Sequence, residues 1–236
     1  MGEFPKEFKM DYCGGKTMNL LVIAPHPDDE ILGCGGTISK YTKNGHRVSL
    51  CIVTRPYTPD WSEEYIANKK TEIGKAKNIV GIDTIYFLDF PAVKLDMVPQ
   101  KELNDALSKV IREVSPEIDY IPHKGDLNRN HRIVFESAMV ALRPTNNKIR
   151  RILSYETLSE TEWGQAIEPF IPNVYVDISE NIKQKCDAMN AYQSEMRQAP
   201  HPRSVDIIIT NAKKRGSEIC VPFAEAFVLI RECDIE

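Results

Sequence analysis

Short apolar runs of strand length alternate with longer stretches of helical spacing along most of the chain. Residues 19–24 (NLLVIA) are apolar after the first position, the pattern of a strand buried on both faces. Residues 30–44 have helical spacing and stop at Gly45, a residue suited to the position just past a helix. The alternation then repeats. Strands are predicted at 47–54, 84–88 and 118–122, and helices at 62–80, 99–114 and 129–142. Ser62 and Gly81 supply start and stop signals for the second helix, and Pro99 opens the third. A strand at 151–156 follows, then a loop-rich segment over 157–173. The remainder reads as a strand at 174–178, helices at 180–196 and 204–214, and a last short strand at 226–230.

Four successive β-α units imply a parallel sheet with helices on both faces. Right-handed crossovers then favour a doubly wound, Rossmann-like α/β fold, a three-layer αβα sandwich with a mostly parallel sheet. With no repeat or linker in view, 1–236 reads as one domain: a Rossmann-like core over 19–156 and a C-terminal extension of the same domain over 157–236.

Charge narrows the classes of partner. Thirty Lys and Arg stand against 34 Asp and Glu, a formal net charge of −4, which argues against a nucleic-acid binder that neutralises phosphates. No apolar run approaches the ~18 residues a membrane helix needs. The first residues, MGEFPKEFKMDYCGG, carry charges throughout and lack the apolar stretch of a secretory signal, so a cytoplasmic protein is expected. Six cysteines (Cys13, Cys34, Cys51, Cys186, Cys220 and Cys233) show no CxxC spacing and read as reduced thiols.

The first segment with chemistry is Pro25-His26-Pro27-Asp28-Asp29-Glu30, at the C-terminal end of the first strand. Open α/β sheets bind ligands at that edge. One reading is a plain helix start, with Pro27 as first helical residue and the acids complementing the helix dipole. That leaves His26 unexplained. If Pro27 opens the helix, His26 is its N-cap and Asp29 its third residue, positions whose side chains converge as in a capping box. Imidazole and carboxylate meeting there form two legs of a metal site, and Asp28 between them is free to point toward a water. Gly33-Cys34-Gly35-Gly36 follows; its spacing is not that of a dinucleotide fingerprint, and the glycines read as close packing of the first helix on the sheet.

The second segment, His123-Lys124-Gly125-Asp126-Leu127-Asn128-Arg129-Asn130-His131, follows the fourth strand in the same way. In a 3-2-1-4 sheet, strands one and four are neighbours that flank the topological switch point, so the two loops meet at one crevice. His131 then supplies a third ligand, and three protein ligands with an open position is the catalytic pattern for zinc. The competing reading makes His131 a polar residue near a helix start, and Asp126 and Asn128 turn formers.

PHPDDE after the first strand, with D-x-N-x-x-H after a later one, resembles the PIG-L/LmbE-like deacetylases, zinc-dependent N-deacetylases of N-acetylglucosamine-type sugars and glycoconjugates. The segments SYETLSETEW, PNVYVDIS and HPRS…RGSEICVPFAEAF extend that resemblance over nearly the whole chain. It implies an LmbE-like fold, zinc (Zn2+) held by His26, Asp29 and His131, Asp28 as general base, and a homo-oligomer; a His-Asp-His site with open positions also accepts other divalent transition metals. Two positions depart from the pattern. Many members have Asp where this chain has Asn130, and some have His where it has Asn128. The departures bear on which group orients the His131 imidazole and which assists the leaving amine; with no titratable group at Asn128, Asp28 is expected to make both proton transfers.

Arg55, at the end of the second strand, either binds a sugar hydroxyl or phosphate or is a surface arginine. His123, Asn128 and His201 join it as candidate substrate contacts. Trp163 and Tyr155 offer stacking faces, with core or interface packing the favoured role. No G-x-S-x-G or HExxH is present, which argues against a serine hydrolase or a zincin protease. The expected reaction is removal of the acetyl group from an N-acetylated amino sugar, glycoconjugate or sugar nucleotide. The alternatives are hydrolysis of another amide, such as that of a thiol conjugate, and a non-catalytic sugar- or nucleotide-binding module.

Overall fold

The computed structural model describes residues 16–144 and 148–234. Strands β1 (Asn19–Ala24), β2 (Arg47–Arg55), β3 (Thr84–Pro91) and β4 (Ile118–Pro122) alternate with helices α1 (Asp29–Lys43), α2 (Glu63–Val80), α3 (Gln100–Val114) and α4 (Arg129–Ala141). Then come β5 (Arg151–Tyr155), β6 (Val174–Asp177), α5 (Ile182–Ala191), α6 (Val205–Ser217) and β7 (Ala224–Glu232). All seven strands join one sheet in the order β3-β2-β1-β4-β5-β7-β6. The first five are mutually parallel, and β7 runs antiparallel between β5 and β6. This is the predicted mostly parallel αβα fold.

Alternation along each strand sends side chains to two cores. Leu20, Val22 and Ala24 of β1 pack with α1, α2, α5 and α6, while Leu21 and Ile23 pack with α3 and α4. Burial on both faces explains why β1 reads as a continuous apolar run. The glycines of α1 permit close approach: a Cβ on Gly33 would lie 2.3 Å from the Tyr155 ring, and one on Gly36 2.7 Å from Ile178. Tyr155 is fully buried and its hydroxyl donates to the carbonyl of Ile23.

Strand β3 runs to Pro91 and α6 to Ser217, past the expected 88 and 214, and three further differences have a visible cause. First, α1 starts at Asp29, with Asp28 as its N-cap in a positive-φ conformation (φ 120°). Pro27 therefore lies outside the helix. The backbone N–H of Asp28 donates to Glu30 Oε2, which fixes this turn. Second, the helix expected over 180–196 ends at Ala191. Tyr192 is buried and its hydroxyl donates to Glu30, while the backbone N–H and hydroxyl of Ser194 both donate to Glu72 on α2, so the chain is drawn off the helical path. Third, β7 spans Ala224–Glu232, longer than the predicted 226–230, because it pairs on both sides.

The C-terminal segment is stitched into the core through charge. The Glu225 carboxylate accepts from the backbone N–H groups of Gly36 (2.9 Å) and Thr37 (2.7 Å) inside α1, and from Lys185 on α5, whose Nζ also donates to the Leu32 carbonyl. A buried ion pair between β7 and α5 is thus tied to the backbone of α1. Cys34, Cys51, Cys186, Cys220 and Cys233 are free thiols, and Cys13 lies outside the described residues. Among the described residues no helix is long and apolar enough to cross a membrane.

Candidate metal centre

Strand β1 ends at Ala24 and β4 at Pro122, side by side in the sheet, so the loops that follow them meet at the switch point. His26 and Asp29 come from the first loop and the start of α1; His131 comes from the first turn of α4. One donor atom from each lies within 4.8 Å of the others, a group that could hold a metal ion. Asp29 Oδ2 is 3.2 Å from His26 Nδ1 and 3.3 Å from His131 Nε2, and the two ring nitrogens are 3.2 Å apart. The same carboxylate oxygen accepts the backbone N–H of His26 at 2.8 Å, so the convergence of His26 and Asp29 occurs although the helix starts later than predicted. Asp29 Oδ1 is buried with no hydrogen-bond partner.

The neighbours orient each donor. Asp126 Oδ2 accepts from His131 Nδ1 at 2.8 Å, leaving Nε2 to face Asp29, and Asp126 Oδ1 accepts from the Thr161 hydroxyl at 2.6 Å. Asp126 thus does more than form a turn. Asn130 Nδ2 lies 2.9 Å from His26 Nε2. When Nδ1 of His26 faces a metal, Nε2 carries the proton, and a turned-over Asn130 amide would accept it through its oxygen. The loops after β4 and β5 touch backbone to backbone: a Cβ on Gly164 would lie 1.8 Å from the Gly125 carbonyl oxygen, and one on Gly125 2.1 Å from that of Glu168. Glycine at both positions lets Thr161 reach Asp126.

Asp28 is buried beside this cluster, and its Oδ2 accepts from Arg203 Nη1 at 3.0 Å. Burial lifts the Asp28 carboxyl well above the usual carboxylate range; the Arg203 guanidinium opposes this, and Asp29, Glu195 and Glu30 reinforce it. Asp29 goes the other way: burial opposes its charge, but His131 and His26 hold it far below the usual range. His131 is pushed up to about 10, because Asp29 and Asp126 outweigh the burial that disfavours its charge. Glu30, buried in the first turn of α1, is raised to about 7 by burial. Two adjacent acids therefore differ in character: the imidazoles favour the charged form of Asp29, while burial gives Asp28 the higher proton affinity.

The other predicted site residues fall in different places. Asn128 caps α4, its side chain accepting from the Asn130 N–H. His123 is 2 % exposed, with Nε2 3.2 Å from the Glu168 carbonyl and its ring edge-on to Phe170, so residues 168–170 cover it. Arg55 is exposed and 3.8 Å from Asp89. His201 is exposed, and its Nδ1 accepts from the Arg203 N–H. Trp163 is 69 % exposed, so core packing within this chain does not describe it. Sequence reasoning did not single out Arg203, Thr161 or Glu160. Arg203 sits in the HPRS segment, the one signal that pointed its way.

The fold and this cluster define an α/β protein with a His-Asp-His centre at the switch point of its sheet. The sequence model of the family described as PIG-L: GlcNAc-PI de-N-acetylase matches residues 21–142, more than half of the chain. The chain belongs to that family and is an enzyme of the deacetylase class. It is 28% identical over 201 residues to the diacetylchitobiose deacetylase of Thermococcus kodakarensis, covering 80% of this chain and 74% of that protein. It is 25% identical over 187 residues to a probable N-acetyl-alpha-D-glucosaminyl L-malate deacetylase 2 of Bacillus cereus, covering 75% and 83%. Among solved structures, the conserved protein TT1542 from Thermus thermophilus superposes with a TM-score of 0.76 at 27% identity, covering 93% of this chain and 98% of that one.

Proposed function

We propose that the chain is a zinc-dependent hydrolase that removes the acetyl group from an N-acetylated amino sugar, glycoconjugate or sugar nucleotide. The observation that carries this reading is the buried Asp28 carboxyl beside the His26, Asp29 and His131 donors at the switch point. The donor set fits zinc: two imidazole nitrogens and a carboxylate are ordinary zinc ligands, and the orphaned Asp29 Oδ1 gives that carboxylate a free lone-pair face. His26, Asp29 and His131 would hold the ion, which supplies Lewis acidity to an acyl oxygen when bound. The family description and the sugar-directed names of the relatives support an acetamide on an amino sugar as substrate.

Asp28 takes the proton of the attacking water. Its raised proton affinity suits that task better than an ordinary carboxylate, because proton transfer is most efficient when the base is matched to the working pH. The same carboxyl returns the proton to the departing nitrogen, since Asn128 and Asn130 cannot titrate. Asp126 and Asn130 keep the two imidazoles turned toward Asp29. Arg55 and His201, both exposed, are the proposed sugar contacts.

Acetate release from a panel of N-acetylated sugars and nucleotide sugars, with the zinc-reconstituted chain, tests the proposal. Release from at least one of them, lost in His131→Ala together with the zinc, is expected. Stoichiometric zinc with no release from any acetamide contradicts the substrate class.

A further inference from the structure

Asp28 terminates an unbroken row of alternating charges that begins on α2. Lys69 Nζ lies 3.1 Å from Glu72 and 2.6 Å from Glu195 Oε1, and its side chain is 4 % exposed. Tyr65 donates its hydroxyl to the same Glu195 oxygen at 2.6 Å. The other oxygen, Glu195 Oε2, accepts from Arg203 Nη1 at 3.1 Å, and that nitrogen also donates to Asp28 Oδ2. Arg203 Nε donates to the Ser159 hydroxyl at 2.9 Å, and Nη2 is 3.7 Å from Glu160. Residues from several separate segments thus pin one guanidinium whose planar fork leaves it little freedom.

That much anchoring exceeds what a surface ion pair needs, and it acts on the residue that stands next to Asp29. Two consecutive carboxylates beside two imidazoles form a set to which a divalent cation is drawn through every anionic oxygen within reach. An Asp28 carboxylate that coordinated the ion would give up its lone pair as a base. It would also fill the open position that separates a catalytic site from a structural one.

We propose that Arg203 is a positioning residue that holds the Asp28 carboxylate out of the coordination of a cation bound by His26, Asp29 and His131. The inference rests on the ligand and base assignments above. Arg203 competes with the ion for Asp28 Oδ2, and the row Glu72-Lys69-Glu195 holds Arg203 in place for that competition. Arg203 itself touches neither ion nor substrate in this role.

The test is zinc affinity of the whole chain, measured by competition with a chromophoric chelator, in a double-mutant cycle. Arg203→Met frees Asp28 to coordinate, and about tenfold tighter zinc binding is expected, as when an anionic ligand is added to a metal site. In the Asp28→Asn background the same change gains much less, and Arg203→Lys, which keeps the charge, stays close to wild type. An equal gain in both backgrounds would mean that Arg203 acts only as a nearby charge, and would overturn the proposal. So would no gain in Arg203→Met. A second measurement needs no Arg203 variant: the visible spectrum of the cobalt(II)-loaded chain should be the same for wild type and Asp28→Asn. A changed ligand-field band would show that Asp28 already coordinates in the wild type. If the wild-type chain binds no zinc, or His131→Ala binds as well as wild type, the ligand assignment fails instead, which is distinguishable from failure of the role of Arg203.

Discussion

Asp126 and His131 face each other across a 2.8 Å hydrogen bond, both fully buried, with the carboxylate on the loop before α4 and the imidazole on its first turn. The bond commits Nδ1 and so decides which nitrogen His131 offers to Asp29. Thr161, from the loop after β5, secures the far oxygen of the same carboxylate. Asp126→Asn keeps the shape but weakens the acceptor, and is expected to loosen zinc binding about 10- to 100-fold, as for other groups that support a metal-bound histidine. Thr161→Val, one bond further out, should produce a smaller loss in the same chelator competition. Equal affinity for wild type and Asp126→Asn would contradict the assignment.

Asn130 Nδ2 stands 2.9 Å from His26 Nε2, and a carboxylate there would accept the Nε2 proton more strongly than the amide oxygen of a turned-over Asn130. Asn130→Asp should therefore make His26 a better donor and tighten zinc binding by about tenfold, and Asn130→Ala should weaken it. Zinc affinities of the three chains should rank Asp, Asn, Ala. Any other order removes Asn130 from this role.

Asp119, the second residue of β4, is fully buried, and neither carboxyl oxygen has a hydrogen-bond partner. Burial raises its proton affinity well above the usual carboxylate range. The sign follows from linkage: a carboxyl raised on folding favours the native state fully only below its unfolded value, and that favour is lost as pH rises toward the native one. Asp119→Val should stabilise the fold by about 1–3 kcal/mol near neutral pH, because it removes an unpaired polar group from an apolar strand. The gain in Tm should shrink as the pH falls toward 4. A destabilised variant, or a gain that grows in acid, would contradict this.

Much of the fold can be read in the residues. The alternation of NLLVIA, RVSLCIVT, TIYFL and IDYIP with amphipathic stretches defines the parallel half of the sheet, because strands buried on both faces carry few polar positions. The adjacency of β1 and β4 follows from topology, and with it the meeting of His26 and Asp29 with His131. Other features depend on contacts between distant segments. Arg203 reaches Asp28 across 175 positions, and no local pattern marks that pairing. Tyr192 and Ser194 end α5 because Glu30 and Glu72 attract them, which overrides a helical spacing that continues to Met196. The place of β7 is likewise a matter of distant pairing: Phe227 pairs with Tyr155 on β5 and with Val174 on β6. Asp126 stood in plain view but looked like a turn former, because only the fold shows which nitrogen of His131 it faces.

In the proposed reaction Asp28 moves the proton while His26, Asp29 and His131 hold the ion. The most direct measurement is zinc stoichiometry beside acetate release for Asp28→Asn, on a substrate the wild type deacetylates. One zinc per chain is expected, as in wild type, with kcat reduced by about 10²–10⁴-fold. Acetate release at the wild-type rate, or zinc lost along with activity, would contradict it.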